Sequence, residues 1–398
     1  MEFKRYDEKV WLSCPTIHGE EQKFIQEAFD TNWVAPLGPN VNKFEEEISE
    51  YIGEETHAAA MVSGTSALHM AVKLMGIKPG DIVLCSDLTF SATVNPVSYE
   101  GGVQVYIDSE YETWNMDPKV LEKALIKYDG SDAKHPKPKA VVLVHLYGTP
   151  AKIDEIMALC DKYNVPLIED AAESLSATYK GVQTGTFGKY AAISFNGNKI
   201  ITSSGGGMFL AKDEEAVKKV RFLITQAREP FPWYQHEEIG YNYRMSNIVA
   251  GVGRGQLLHL AEHRELKEKI YNIYKEGLKD LPVQMNPYNA SDSVPNFWLS
   301  CMVIDPDVVN GTSEEYKQVT PDMIREFLDK YNVETRPIWK PMHLQPVFKD
   351  CDYITAEDGV SVGDDIFARG LCLPSDIKMT ETVQKDVIAM IHSLFERK

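Results

Sequence analysis

From about residue 51 to residue 210, short apolar runs alternate with longer stretches in which apolar side chains recur at helical spacing. The alternation predicts βαβ units and a mostly parallel sheet, with strands at 82–85, 103–107, 140–145, 166–169 and 191–195. Polar residues stand at or just past their ends: Asp87, Asp108, His145, Asp170 and Asn196. Ligands of open α/β sheets bind beyond the carboxyl ends of the strands, so these five positions are the first place to look for a site. Asp and Asn also cap helices and shape turns, which accounts for any one of the five more easily than for all together.

Past the sheet, residues 259–278 (HLAEHRELKEKIYNIYKEGL) read as a long charged connector helix. His259 and His263 stand four apart on it, but HLAEH is not the zinc-binding HExxH, and both are expected to be exposed. The texture then changes, with Pro and Asn in LPVQMNPYN and SDSVPNFWLSCMVID, before another helix at 321–331. The expectation is a large domain over 1–265, whose N-terminal segment can pack on the small domain, and a smaller α+β domain over 266–398.

Composition narrows the class. A chain of 398 residues can remove about three quarters of its extended surface from water and needs no disulfide framework. Its six cysteines lack any C-x-x-C pair and are expected to be reduced thiols. The excess of 59 acidic over 41 basic residues, a net charge of -18, opposes binding to nucleic acid or to an anionic membrane. An anionic ligand would therefore need local donors. The N-terminus, MEFKRYDEKVWLSCP, has no apolar leader region, and no run reaches the ~18 apolar residues of a membrane helix, which predicts a soluble cytoplasmic protein.

Three motifs carry candidate chemistry. Ser63-Gly64-Thr65-Ser66 precedes an apolar-faced helix, whose N-terminal N–H groups and dipole favour an anion; an ordinary N-cap accounts for the same residues. PLIEDAAE delivers Glu169 or Asp170 to a strand end, where a carboxylate could keep a heterocyclic nitrogen protonated, cap a helix or bind a metal. No cluster with ligand spacing accompanies it, so no metal is expected. In SFNGNKIITSSGGGM, Lys199 lies between a turn and an apolar pair, an unusual place for a solvated lysine; a partly desolvated amine forms Schiff bases. The triple glycine is either a flexible loop or a place of close backbone approach.

A phosphate seat, a pyridinium partner and an imine-forming amine, at 65, 170 and 199, together describe pyridoxal 5'-phosphate (PLP, with its amino form PMP). The chain also resembles the DegT/DnrJ/StrS nucleotide-sugar aminotransferases of the fold-type I class. The resemblance rests on APLGPNVNKFE, MVSGTSALHMA, DLTFSATVNPV, HLYGTPAKIDEI, IEDAAESL, SFNGNKIITSSGGGM, EIGYNYRMSN and ETRPIWKPMH, in family order along nearly the whole chain. It implies an α/β fold like that of aspartate aminotransferase, with a mostly parallel central sheet in the large domain and a smaller C-terminal domain. It further implies that Lys199 is the catalytic lysine, that Asp170 pairs with the pyridine nitrogen, and that Gly64, Thr65, Ser66 and Ser194 seat the phosphate. Phe90 would stack on the ring. Glu173 stands where many relatives carry Gln or His near the phenolic oxygen, so a carboxylate there must be protonated or reach something else. Asn242 would reach the phosphate of a neighbouring subunit, which implies a homodimer with shared active sites.

For the substrate, the candidates are the loop at Ala35, Arg228, Arg244, Arg336 and His343, because a nucleotide diphosphate needs charge-assisted donors; an ordinary surface ion pair accounts for any one arginine equally well. Asn196 in place of the commoner His, and TQAREP at 225–230, are similar to the UDP-linked 4-keto-6-deoxy-N-acetylhexosamine 4-aminotransferases of bacillosamine-type pathways. The expected reaction takes the amino group of L-glutamate to the C4 ketone of such a sugar. GDP-perosamine-type and 3-keto-sugar aminotransferases are the near alternatives. Deoxysugar dehydration is disfavoured by Lys199, since relatives doing that chemistry carry His there, and a non-catalytic regulator of the same fold is the remaining one.

Overall fold

The computed structural model describes residues 3–53 and 55–398. Its centre is an eight-stranded sheet in the order His57–Met61, Gly207–Ala211, Tyr190–Ser194, Leu167–Asp170, Ala140–Val144, Ile82–Ser86, Val103–Ile107, Asp352–Ile354. Neighbours from Tyr190–Ser194 to Asp352–Ile354 are parallel, and Gly207–Ala211 runs antiparallel to both its neighbours. All five strands expected from the pattern are present, with ends shifted by one residue at most of them.

The strands are apolar throughout because both faces are covered. Val83 and Cys85 pack with the helices Gly64–Leu74 and Glu214–Ile224, whereas Ile82 and Leu84 pack with Pro118–Lys127 and Ile153–Tyr163. A third cluster sets Phe44 and Ile48 of the helix Pro39–Ile52 against Ala58, Ala191 and Met208. Such double coverage is what parallel sheets require.

A second sheet of four antiparallel strands, Val283–Met285, Cys301–Ile304, Gly370–Cys372 and Arg336–Pro337, lies in the C-terminal part. The helices Leu260–Gly277, Pro321–Lys330 and Glu381–His392 share its apolar core, and Phe3, Tyr6 and Val10 of the N-terminal segment pack into the same cluster. Contacts run across the sequence at both ends. Besides this N-terminal strap, residues 352–354 leave the C-terminal part to extend the large sheet alongside Val103–Ile107.

The connector helix departs from expectation in one respect. His263 is buried, with its Nδ1 2.8 Å from the Ile200 carbonyl and its Nε2 2.7 Å from His18 Nε2. His259 is partly covered by His18, with the two rings stacked 3.7 Å apart, and both its nitrogens face carboxylates, Glu20 and Glu262. Charge along the helix suggested a wet face; the N-terminal strap, distant in sequence, covers it. No helix among the described residues is long and apolar enough to cross a membrane.

Candidate active site

At the carboxyl end of the large sheet lies a cavity of about 340 Å³, lined by residues of the 63–68, 89–93, 170–173 and 194–206 segments together with Trp298 and Trp339. Of the candidates read from sequence, it brings together Gly64, Thr65, Phe90, Asp170, Glu173, Ser194 and Lys199.

The first wall is the N-terminus of the helix Gly64–Leu74. Ser63 caps it: its hydroxyl accepts the Ser66 N–H at 3.1 Å, and Ser66 Oγ in turn accepts the Ser63 N–H and donates to the Ser63 carbonyl at 2.7 Å. The reciprocal box engages both the N–H and the hydroxyl of Ser66, which was expected to help seat a phosphate, and Ser66 does not line the cavity; Thr65 does, at the helix N-terminus. The glycines decide how closely the walls meet. A Cβ on Gly64 would sit 2.9 Å from Ser194 Cβ, and one on Gly207 2.3 Å from the Ser63 carbonyl group. The triple glycine is thus a place of close backbone approach at its third member.

Opposite, the strand Leu167–Asp170 splits its two carboxylates. Glu169 turns away from the cavity and accepts the N–H groups of Gly185, Phe187 and Gly188 and the His145 ring, at 2.6–3.0 Å. Burial alone would raise its pKa; the His145 hydrogen bond and charge, with the backbone donors, overcome that and lower it. Asp170 faces the cavity, with Oδ2 accepting from Thr93 Oγ1 at 2.6 Å and Oδ1 from the Ala172 N–H at 3.0 Å. Burial raises its pKa, against the Thr93 and Ala172 hydrogen bonds and the charge of Lys199. A buried carboxylate aimed into a cavity, with a nearby amine as its cationic neighbour, suits a ligand that brings a protonated nitrogen.

Lys199 is nearly enclosed. Its Nζ lies 3.5 Å from Glu173 Oε1 and 3.9 Å from the centroid of the Trp298 ring. Glu173 Oε2 accepts the Tyr147 N–H at 2.7 Å, and burial raises its pKa against the opposing charge of Lys199. The carboxylate at 173 therefore reaches a cation and a backbone donor. Trp298 is placed by Asn296, whose Oδ1 accepts the Trp298 N–H while its Nδ2 donates to the Glu173 and Leu175 carbonyls. Gly148, at φ 85°, makes room for this: a Cβ there would stand 1.7 Å from Asn296 Oδ1.

The other strand-end residues divide. Asn196 lines the cavity with Asp170. Asp87, Asp108 and His145 are structural: Asp87 holds His343, Asp108 accepts the N–H groups of Val362 and Gly363 at the start of Val362–Arg369, and His145 bonds Glu169. Of the five positions to look at first, Asp170 and Asn196 line the cavity and the other three hold the fold.

The substrate candidates lie outside the cavity. Arg244 is withdrawn from them, because its guanidinium bonds Glu45, a buried carboxylate that also takes Arg221 and the Ala60 N–H. His343 is held between Asp87 Oδ2 at 2.7 Å and Asp364 Oδ1 at 3.3 Å. Arg336 is exposed and pairs with Glu334, Arg228 stacks on Tyr234, and the Ala35 carbonyl accepts the Asn247 N–H. Asn242 is exposed, bridged to Thr225. Sequence reasoning missed Thr93, Trp298 and Trp339 as lining residues. Thr93 and Trp339 sit inside quoted motifs, DLTFSATVNPV and ETRPIWKPMH, whereas Trp298 gives no signal beyond being an aromatic in a Pro- and Asn-rich stretch.

The DegT/DnrJ/EryC1/StrS aminotransferase family model matches residues 15–392, and the chain belongs to that family. It is 50% identical over 390 residues to EpsN of Bacillus subtilis, whose name places it among pyridoxal phosphate-dependent aminotransferases; the match covers 97% of this chain and 96% of EpsN. It is 35% identical over 384 residues to a GDP-perosamine synthase of Caulobacter vibrioides, covering 96% and 97% of the two chains. The crystal structure of a DegT DnrJ EryC1 StrS aminotransferase from Brucella abortus superimposes with a TM-score of 0.84 at 27% identity, over 94% of this chain and 95% of that one. The fold is the expected α/β fold of the fold-type I class.

Proposed function

We propose that this member of the DegT/DnrJ/EryC1/StrS family is a PLP-dependent aminotransferase of nucleotide-linked keto-sugars in which Lys199 is the catalytic amine. The observation that carries it is the convergence on one cavity of an enclosed lysine, a buried carboxylate and a helix N-terminus. When bound, PLP supplies an electrophilic carbon for amines and a protonated ring that withdraws electrons. Lys199 Nζ would hold the cofactor's aldehyde carbon and, once displaced from it by an incoming amine, would carry the proton between that carbon and the substrate carbon, Cα of the donor or C4 of the sugar, in each half-reaction. Asp170, its two oxygens fixed by the Thr93 hydroxyl and the Ala172 N–H, would keep the ring nitrogen protonated. Thr65, Ser194 and the first N–H groups of the helix Gly64–Leu74 would hold the phosphate, and Phe90 would stack on the ring. Glu173 holds the Lys199 amine when it is free.

The exposed Asn242 is free to reach a second copy, and the apolar side chains of Phe231, Trp233, Tyr234 and Ile239, 40–85% exposed nearby in sequence, support a homodimer with shared sites. The donor in this reading is L-glutamate and the acceptor the C4 ketone of a UDP-linked 4-keto-6-deoxy-N-acetylhexosamine, with Arg228, Arg336 and the Ala35 loop as diphosphate contacts. The relationship to a GDP-perosamine synthase supports a second reading, a GDP-linked 4-keto-6-deoxysugar. Incubation with L-glutamate and UDP-, GDP- and dTDP-4-keto-6-deoxysugars, with NMR of the products, separates the two. Lys199→Ala should lose both turnover and the absorbance band at about 420 nm that L-glutamate shifts; a K199A protein that still turned over sinks the proposal.

A further inference from the structure

The carbonyls of the two residues that flank Lys199, Asn198 and Ile200, are both taken up by side-chain donors from outside its own loop. The Asn198 carbonyl accepts from Ser13 Oγ at 3.0 Å and from Trp298 Nε1 at 2.7 Å. The Ile200 carbonyl accepts from His263 Nδ1 at 2.8 Å. Behind these donors stands Lys267, buried, with its Nζ 3.2 Å from Ser13 Oγ, 3.1 Å from the Trp298 carbonyl and 2.6 Å from the Ser375 carbonyl. One ammonium thus gives its three protons to three oxygens, and two of its acceptors belong to the residues that hold the Asn198 carbonyl.

His263 is defined as sharply. A carbonyl only accepts, so Nδ1 of His263 carries the proton, and in the neutral ring Nε2 then accepts from His18 Nε2–H at 2.7 Å. Burial lowers the His263 pKa, which favours that neutral form.

We propose that His263 and Lys267, one turn apart on the helix Leu260–Gly277, are positioning residues that fix the backbone from which the Lys199 amine swings. The inference rests on the reading of Lys199 as the catalytic amine. A methionine at 267 would fill a similar space without the cost of desolvating a charge; what the ammonium adds is directional bonding to the groups around Lys199. Trp298 serves twice, its indole N–H on the Asn198 carbonyl and its ring under the Lys199 amine. A proton carrier must move between two carbons without losing alignment, and a shift of about 1 Å in such a group costs on the order of 100-fold in rate.

The test uses the holoenzyme and follows the half-reaction with L-glutamate by the absorbance of the bound cofactor. Lys267→Met and His263→Leu should slow it about tenfold or more while the apparent KM for L-glutamate stays within about twofold. His263→Asn keeps a donor where Nδ1 stood and should recover most of the rate. Ser13→Ala, at a half-buried position of the strap, should slow the step about threefold and serves if the core variants fail to fold. Unchanged rates in the folded members of this set, or an equal loss in H263N and H263L, would overturn the inference. Borohydride reduction of the parent holoenzyme followed by peptide mapping keeps the two claims apart. Label on another lysine overturns the reading of Lys199 and this inference with it; label on Lys199 with unchanged rates overturns this inference alone.

Discussion

Lys199 pairs with the buried Glu173, Nζ to Oε1 at 3.5 Å, with the second Glu173 oxygen anchored on the Tyr147 N–H. The carboxylate holds the amine from one side while the Trp298 ring lies against it from another. Glu173→Gln keeps an acceptor for Tyr147 and removes the charge. The L-glutamate half-reaction should slow about tenfold with the fold intact, whereas Glu173→Ala should in addition lower stability by about 1–3 kcal/mol by leaving the Tyr147 N–H unpaired. Single-turnover absorbance and thermal denaturation of the two variants check this; a full rate in E173Q excludes a part for the charge.

Asp170 also faces the cavity, and its hydrogen-bond partners are neutral donors. Asp170→Asn should retain those partners in part yet be unable to hold a protonated ring nitrogen, with turnover falling about 100-fold or more. Thr93→Val should follow in the same direction by a smaller factor. Steady-state kinetics at saturating PLP decide it, and a D170N enzyme at parental rate would remove Asp170 from the chemistry.

Arg244 should behave as a structural residue. Replacing it with Met leaves Glu45 with Arg221 and the Ala60 N–H, and should cost about 2 kcal/mol of stability. The KM for the nucleotide sugar should stay within about twofold of the parent. Denaturant unfolding and kinetics on the same preparation separate the two effects; a raised KM at unchanged stability would return Arg244 to the substrate.

His343 gives the fold a pH dependence. Burial alone would lower its pKa, but the hydrogen bond and charge of Asp87, with Asp364 and Asp108, raise it above 6.5. A raised folded-state pKa stabilises fully below the unfolded value of 6.5 and is lost as pH rises through the folded one. His343→Gln should therefore lower the Tm most near pH 6, by the equivalent of about 1–3 kcal/mol, and less at pH values above the folded pKa. Melting curves of both proteins across that range check the sign.

Much of this arrangement was legible in the chain. The apolar runs located the strands because helices cover the sheet on both sides, leaving no polar alternation to confuse them. Gly64-Thr65 and Asp170 were legible because they sit where a helix begins and a strand ends, and Lys199 because a lysine between a turn and an apolar pair is out of place for a solvated amine. Trp298 was not, since its part depends on Asn296 and Gly148, residues far from Lys199 in sequence. The histidines of the connector helix were misjudged for the same reason: a helix pattern shows which face is polar but not that a strap carrying His18 will cover it. Asp87 and Asp108 occupied the expected strand ends, but what they bind there, a histidine ring and a helix N-terminus from beyond residue 340, is decided by packing.

The sequence alone determined the layered α/β architecture and the three chemical groups of the cavity, because both follow from periodicity and from short motifs whose residues act within a few positions of one another. Tertiary structure alone decided which charges are free to act. Arg244, His343, Glu169 and Lys267 each have a buried partner or set of acceptors supplied by distant segments. A buried charge must be matched wherever the chain brings a match, and that meeting depends on the whole fold.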